Sequence, residues 1–353
     1  MKAYRVAIIA VLSAAVVASL GCGFIEDHFR YHGDKIVTKT IDVSDVETVE
    51  IQLGSADIKI VSGTGTDADF EIKKIYRASK KKYIDELLAE SRITFEKQGS
   101  KLIVRQEGEH GRAFDTLARG YVRIQITATL PQLPLRISSG SGDVRIDDRQ
   151  APVSIVTGSG DAIVGAVDGG FKWRSGSGDI KLSDARGDVI LSTGSGDMTL
   201  ASIEGKLETS SGSGDISIER IEGDFTITTG SGDIWVGESI GNAHVKTSSG
   251  DVVLDSHTGP ADISTTSGDV RVGTYPTANE VALRSSSGNV DVILYGGSVA
   301  LDITTSSGSI TTKVPIVVKE ASRRRLIGIA EDGLLKLRIV TSSGDVDVRQ
   351  GAV

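Results

Sequence analysis

The sequence is short of the materials from which cross-linked domains and compact enzymes are built. Its one cysteine excludes an internal disulfide, and aromatic residues at 5% leave a core of stacked Val, Ile and Leu rather than large rings. Positive charge is not in excess: the net charge is −8, and it falls further once Lys2 and Arg5 leave with the leader. Nucleic acid is thereby excluded as a partner, because phosphate binding needs clustered Lys and Arg. No Gly-x-Ser-x-Gly elbow occurs, and the many serines have no matched histidine base. Gly-Ser-Gly does not make a phosphate loop here, since no helix follows it to supply N–H groups. His244 and His257 are too isolated to form a metal set and are read as solvated imidazoles.

Glycine is what the chain has in quantity, 42 residues, and its spacing organises the rest. Ser-Gly-Asp plus an aliphatic residue returns with its glycine at Gly142, Gly160, Gly178, Gly196, Gly214, Gly232, Gly250 and Gly268, a step of 18 residues. Midway lies a weaker series, Gly169, Gly187, Gly205, Gly223, Gly241 and Gly259, so the underlying step is nine, with Ala151 the exception. Two and four places after the glycine the residues are mostly apolar, as in Ile216 and Ile218 or Phe225 and Ile227, and the one between is mostly polar, with Trp235 an exception. That alternation, bounded by Gly, Ser and Asp, predicts a half-buried strand of four or five residues and a tight turn. A unit this small cannot bury its own apolar face and must stack on its neighbours. The fold class predicted is all-β, a parallel β-solenoid with 18-residue coils of two short strands.

Four segments follow in chain order. Lys2 and Arg5, then the nearly unbroken apolar run Val6 to Leu20, make residues 1–21 a secretory signal, the run being short for a membrane span. Cys22 directly follows Gly21, as in a bacterial lipoprotein leader whose cysteine is lipidated, although Leu20 lies one place nearer the cysteine than that pattern has it. Residues 22–34 are then a tether, and 35–137 are early coils interrupted by an amphipathic helix at about 78–93, where Tyr83, Leu87 and Leu88 recur at helical spacing. Residues 138–353 form the regular array and its C-terminal coils. Past Gly268 the glycines Gly288 and Gly308 come at steps of 20, with the extra pairs placed around Tyr275 to Ala278 and Tyr295 to Gly296. A last copy, Ser343-Gly344-Asp345-Val346, closes the chain. About a dozen coils at the ~4.8 Å strand spacing give a rod of roughly 55 to 60 Å.

Several of these features together resemble a known family: Ile41-Asp42-Val43 leading to Val49-Glu50-Ile51, the helix-bearing insertion, Leu130-Pro131, Thr247 to Val252 repeated as Thr341 to Val346, and the late Arg325-Leu326-Ile327-Gly328. The chain is similar to the bacterial candidate-adhesin family known as domain of unknown function 4097, over about Lys35 to Val353. That resemblance implies a β-solenoid and an envelope location, and it implies no activity.

Stacked coils set Asp143, Asp161, Asp179, Asp197, Asp215, Asp233, Asp251 and Asp269 in a row about 4.8 Å apart. Like charges at that spacing repel by about 1 kcal/mol in water and more where partly buried, so each carboxylate needs a compensating partner. Two readings stand: turn chemistry, in which each Asp accepts N–H groups and a serine hydroxyl in its own turn, and a cation ladder holding calcium. Trp235 falls at an outward place beside Val253 and is a candidate ligand contact, with groove filling as its alternative. The function expected is a lipid-anchored envelope protein, at the outer membrane in a Gram-negative host, acting as a non-catalytic adhesion-like or scaffold module for glycan or protein. No cofactor other than the calcium just considered is implied, and the oligomeric state stays open. A polysaccharide-active β-helix enzyme and an envelope-stress sensor component are the alternatives.

Overall fold

The computed structural model describes residues 29–107, 119–277 and 279–351. The nine-residue step becomes strands of seven residues separated by two-residue corners, as in Leu207–Ser213, Ile216–Glu222, Phe225–Ser231 and Ile234–Ile240. Each strand pairs in parallel with the one 18 residues on, so Ile180, Met198, Ile216, Ile234, Val252 and Val270 stack in one column. Successive strands alternate between two sheets. Sheet A holds those that follow Ser-Gly-Asp, and sheet B those that precede it.

Glycine is required at both corners by backbone and by space. Gly214 has φ +143° and Gly223 +145°, and a Cβ there would lie 2.1 Å from the Gly196 carbonyl oxygen and 2.2 Å from that of Gly205. No L side chain fits a left-handed turn packed that closely on the next coil.

The predicted inward positions are buried, and each strand adds a third. Sheet A strands bend after their second inward residue and turn another side chain in, giving the column Ala185, Ile203, Ile221, Ser239 and His257. His257 is therefore buried, not solvated, because it stands seven places after its glycine on a strand that has bent back toward the core. In sheet B the third column is hydroxylic: Thr193, Ser211, Thr229, Thr247 and Thr265 are all buried. Burying each aliphatic side chain of the other columns contributes about 1.5–3 kcal/mol.

Both ends depart from simple stacking. β1 (Tyr31–Asp42) pairs antiparallel along its length with β3 (Asp67–Ala78), so a paired strand occupies part of the segment read as a tether. β2 (Thr48–Ser62) is one bent strand, its first half in sheet B and its second in sheet A, with Ala56 level with Gly142 of the next coil. The helix α1 (Tyr83–Glu90) is shorter than expected, because β3 runs to Ala78 and β4 (Arg92–Gln98) starts just beyond it. It buries Leu87, and Lys74 donates to the Leu88 carbonyl at its C-terminal end, 3.1 Å, where a cation is favoured. β4 forms an antiparallel hairpin with β5 (Lys101–Glu107), and β6 (Gly120–Leu130) pairs antiparallel with β3.

β2 pairs on one side with β5 and β6 and on the other with β7 (Leu135–Ser141) and β8 (Val144–Ile146). The first coil of the sequence is thus the second in space. From β9 (Val153–Ser159) to β24 (Val290–Leu294) the coils follow in order. The other end mirrors the first. β25 (Val299–Thr305) and β26 (Ile310–Thr312) form the outermost parallel coil, while β29 (Leu335–Thr341) and β30 (Val346–Gln350) slot between it and the coil containing β23 (Glu280–Ser285) and β24. The last Ser-Gly-Asp-Val copy therefore does not close the rod. β28 (Arg325–Ala330) and β27 (Val317–Ala321) run antiparallel outside β25 and finish sheet B.

Candidate functional site

The aspartate row is continuous from coil to coil. Each Oδ1 accepts the backbone N–H of the equivalent residue in the next coil: Asp161 to Asp143 at 3.1 Å, Asp179 to Asp161 at 2.9 Å, and onward through Asp197, Asp215, Asp233, Asp251 and Asp269 at 2.8 to 2.9 Å. Beyond Asp269 the row passes through Asn289 to Asp345 and ends on Ser309, following the order of coils in space. The N–H partner comes from the neighbouring coil and not from the same turn. Among the described residues a serine hydroxyl joins in at Ser309, whose N–H and Oγ both hold the Asp345 carboxyl below its usual value. Among the described residues no three His, Cys, Asp or Glu side chains converge in a metal-ligating set.

Trp235 stands outward beside Val253, 38% exposed. Its indole N–H donates to Asp255 Oδ2 at 2.9 Å. Tyr295 donates from its hydroxyl to the Asp255 carbonyl oxygen at 3.3 Å, and its ring lies 5.0 Å from that of Tyr275, tilted by 33°. Tyr275 is 38% exposed. Three glycines make room for these rings. A Cβ on Gly237 would come within 3.2 Å of the indole, one on Gly273 within 2.9 Å of the Tyr295 ring, and one on Gly351 within 2.8 Å of the same ring. Glycine inside a strand marks such a close approach.

The repeat pattern singles out neither Asp255 nor the tyrosines. The signal that could have found Tyr275 and Tyr295 was the pair of two-residue insertions in adjacent coils, which places the two rings one coil apart. Trp173, the other tryptophan, is wholly buried in the core and its Nε1 has no partner.

The remaining polar features are spoken for. A groove of about 550 Å³ on sheet B is lined by Asn242, His244, Asp262 and Arg284, where Asp262 accepts from Arg284 and lies 3.9 Å from His244. Asp224, on its rim, is held below the usual carboxylate value by the backbone and side-chain N–H groups of Asn242. Arg149 is buried, and its guanidinium donates to the carbonyls of Leu130, Pro131 and Leu133, pinning the start of the array. Burial lowers its pKa. Arg323 and Arg324 are exposed, and Arg325 lies within 3.7 Å of both Asp302 and Glu320. The leader and Cys22 lie outside the described residues, among which no helix is long and apolar enough to cross a membrane.

Comparison with known proteins bears on the family. No curated protein matches the sequence. Solved structures that align with it include a candidate adhesin from Parabacteroides merdae ATCC 43184, 13% identical, over 89% of this chain and 96% of that one, TM-score 0.30. A candidate adhesin from Bacteroides fragilis NCTC 9343 aligns at 12% identity over 89% and 97%, TM-score 0.26. A candidate lipid-binding protein from Parabacteroides distasonis ATCC 8503 aligns at 11% over 89% and 96%, TM-score 0.30. Superpositions this loose assign this chain no role. Residues 184–349 match the family described as Toastrack DUF4097, and they lie within the stacked two-strand coils.

Proposed function

We propose that this chain is a lipid-anchored envelope protein whose solenoid acts as a non-catalytic, adhesion-like contact module, with sheet A around Trp235 as its contact face. The observation that carries the reading is the cluster of Trp235, Tyr275 and Tyr295 around Asp255, on a solenoid face whose other outward positions are mostly polar. Exposed aromatic groups with one polar end are what a recognition surface uses. The anchor reading rests on Cys22 behind its apolar leader, with Tyr31 of β1 only a few residues on. The family resemblance favours an exported protein of this kind.

A catalytic role needs a reactive pair that substrate can reach. Ser239 Oγ lies 2.9 Å from His257 Nδ1, but both side chains are buried in the core, and burial lowers the histidine pKa. This contact fills a column and does no chemistry on an outside substrate.

Beads coated with the mature chain are expected to adhere to isolated envelope material or extracellular polymer, and Trp235→Ala with Tyr275→Ala should abolish most of that adhesion. Equal adhesion by the double variant would remove sheet A as the contact face. Mass spectrometry of the exported protein is expected to find acylated Cys22, and an unmodified cysteine there would end the anchor reading.

A further inference from the structure

We propose that the N-terminal end of sheet A, where β1, β3 and β6 meet the turn Lys80-Lys81-Lys82, docks on the anionic phospholipid headgroups of the membrane in which the chain is anchored. This builds on the reading of Cys22 as lipidated and adds a second contact beside it.

Charge is the first observation. The stretch from Lys73 to Lys82 holds six cations, Lys73, Lys74, Arg77, Lys80, Lys81 and Lys82, and no carboxylate, in a chain whose net charge is −8. Lys73 lies 3.8 Å from Asp34, and Lys74 is held by the Leu88 carbonyl. Lys80, Lys81 and Lys82 are exposed, and none of them has a carboxylate partner among the described residues. The helix α1 brings Asp85, Glu86 and Glu90, but Arg119 lies within 4.0 Å of both glutamates, so of that helix only Asp85 is left to oppose the three lysines.

Position is the second. Tyr31, the first residue of β1, pairs with Ala78, the last of β3, and Ala78 pairs with Gly120, the first of β6. The chain thus enters the fold one strand away from the residue that leads into the lysine turn. Cys22 lies seven residues before Phe29, a reach of at most about 25 Å at ~3.5 Å per residue, so an acyl group there keeps this end of the sheet at the bilayer surface. A basic patch beside a lipid anchor adds attraction to anionic lipid. Aromatic side chains are the third. Tyr31 is 42% and Tyr121 39% exposed, and Phe29 packs edge-on against Tyr121 with ring centroids 5.8 Å apart. Tyrosine concentrates at headgroup level, where its ring meets the acyl boundary and its hydroxyl stays wet. A soluble polyanion would engage the lysines alone, whereas a bilayer engages lysines and tyrosines together.

The mature chain, made without its leader and so unacylated, would be sedimented with vesicles of phosphatidylcholine alone and with vesicles in which one third of the lipid is phosphatidylglycerol. It should pellet with the second and not the first at about 0.1 M salt, and be released at about 1 M, where the screening length falls from ~10 to ~3 Å. Lys80→Gln, Lys81→Gln and Lys82→Gln together should weaken binding about a hundredfold, at roughly fivefold for each cation. The same loss of charge among exposed residues of sheet B, Arg136→Gln, Lys172→Gln and Arg174→Gln, should change it far less, and both triple variants should keep the parent's melting temperature. Tyr31→Ser, which leaves the charge untouched, should weaken vesicle binding about threefold. Equal pelleting with both vesicles, release by millimolar inorganic phosphate at constant ionic strength, or equal weakening by the sheet B triple would overturn the proposal. So would tighter binding to soluble polyphosphate than to vesicles with Tyr31→Ser without effect, which marks a polyanion site. Unmodified Cys22 with anionic vesicles still bound would end the anchor reading and keep this one, and acylated Cys22 with no vesicle binding by the unacylated chain would do the reverse.

Discussion

The middle of the rod and its two ends are built from the same strand and solve opposite problems. Between β9 and β24 every coil is covered above and below, so chain order, spatial order and strand direction coincide. At the ends no next coil exists, and a bare parallel edge would offer unpaired N–H and C=O groups to another chain. The chain answers in the same way twice. It places a coil out of order, β2 inside β5 and β6 at one end and β29 and β30 inside β25 and β26 at the other, and it adds antiparallel strands outside. Repetition makes a rod, and breaking the repetition ends it.

Deletion separates the two regions most sharply. Removing residues 207–224 takes out one whole coil and brings Phe225 to the place of Leu207, in register with Val189. That protein should fold and melt cooperatively a few degrees below the parent. A chain ending at residue 334 loses a similar length but leaves β25 and β26 with no coil to stack on, and its C-terminal portion should unfold or aggregate. Circular dichroism, size exclusion and thermal melts compare the two directly; equal stability would show that the inserted coil is dispensable.

Corner glycines come next in size. Gly214→Ala, with its Cβ against a carbonyl of the neighbouring coil, should cost about 3 kcal/mol in urea unfolding. Gly99→Ala at the N-terminal end has φ +60° but nothing within 4 Å, and should cost about 1 kcal/mol.

Buried His257 ties the middle of the rod to pH. Its pKa is lowered by burial, so the folded state holds the neutral ring, and its contribution is present above the ordinary value of 6.5 and is lost as pH falls below it. The melting temperature should drop as pH falls from 7.5 toward 5, and His257→Leu should flatten that slope. Asp224 and Asp345, whose pKa values are lowered from 3.8 by hydrogen bonds, keep their contribution until pH falls through that lower range.

A single change of chemistry should have opposite signs in the two regions. Thr209 is buried mid-rod with no partner for its hydroxyl, so Thr209→Val should stabilise by about 1 kcal/mol. Thr341, in the inserted coil, donates to the Gly288 carbonyl at 3.3 Å, and Thr341→Val should destabilise by about as much. Smallest of all, calcium followed by chelator should leave the melting temperature unchanged, since each ladder Oδ1 is already occupied by an N–H group. A clear upward shift would make the row an ion site by mass action.

The period, the two strands per coil, the glycine corners and the first two inward columns were legible in the sequence, because each follows from spacing along a single chain. Ile216 and Ile218 announce their burial by alternating with Ser217. Trp235 was legible as outward for the same reason. His257 was not legible as buried, because its place depends on a bend in the strand that period-two alternation does not carry. Asp255 was invisible as a site residue, since its importance comes from Trp235 in one coil and Tyr295 in another.

By itself, then, the sequence determined the solenoid and its step, since a nine-residue unit with one apolar face has nowhere to bury it but on its own copies. Only the tertiary structure decided which coil lies next to which at the two ends, and which outward side chains gather into a face. Those outcomes depend on contacts between residues far apart in the chain, where competing pairings of near-identical repeats are separated by the edges they leave exposed and not by the repeats themselves.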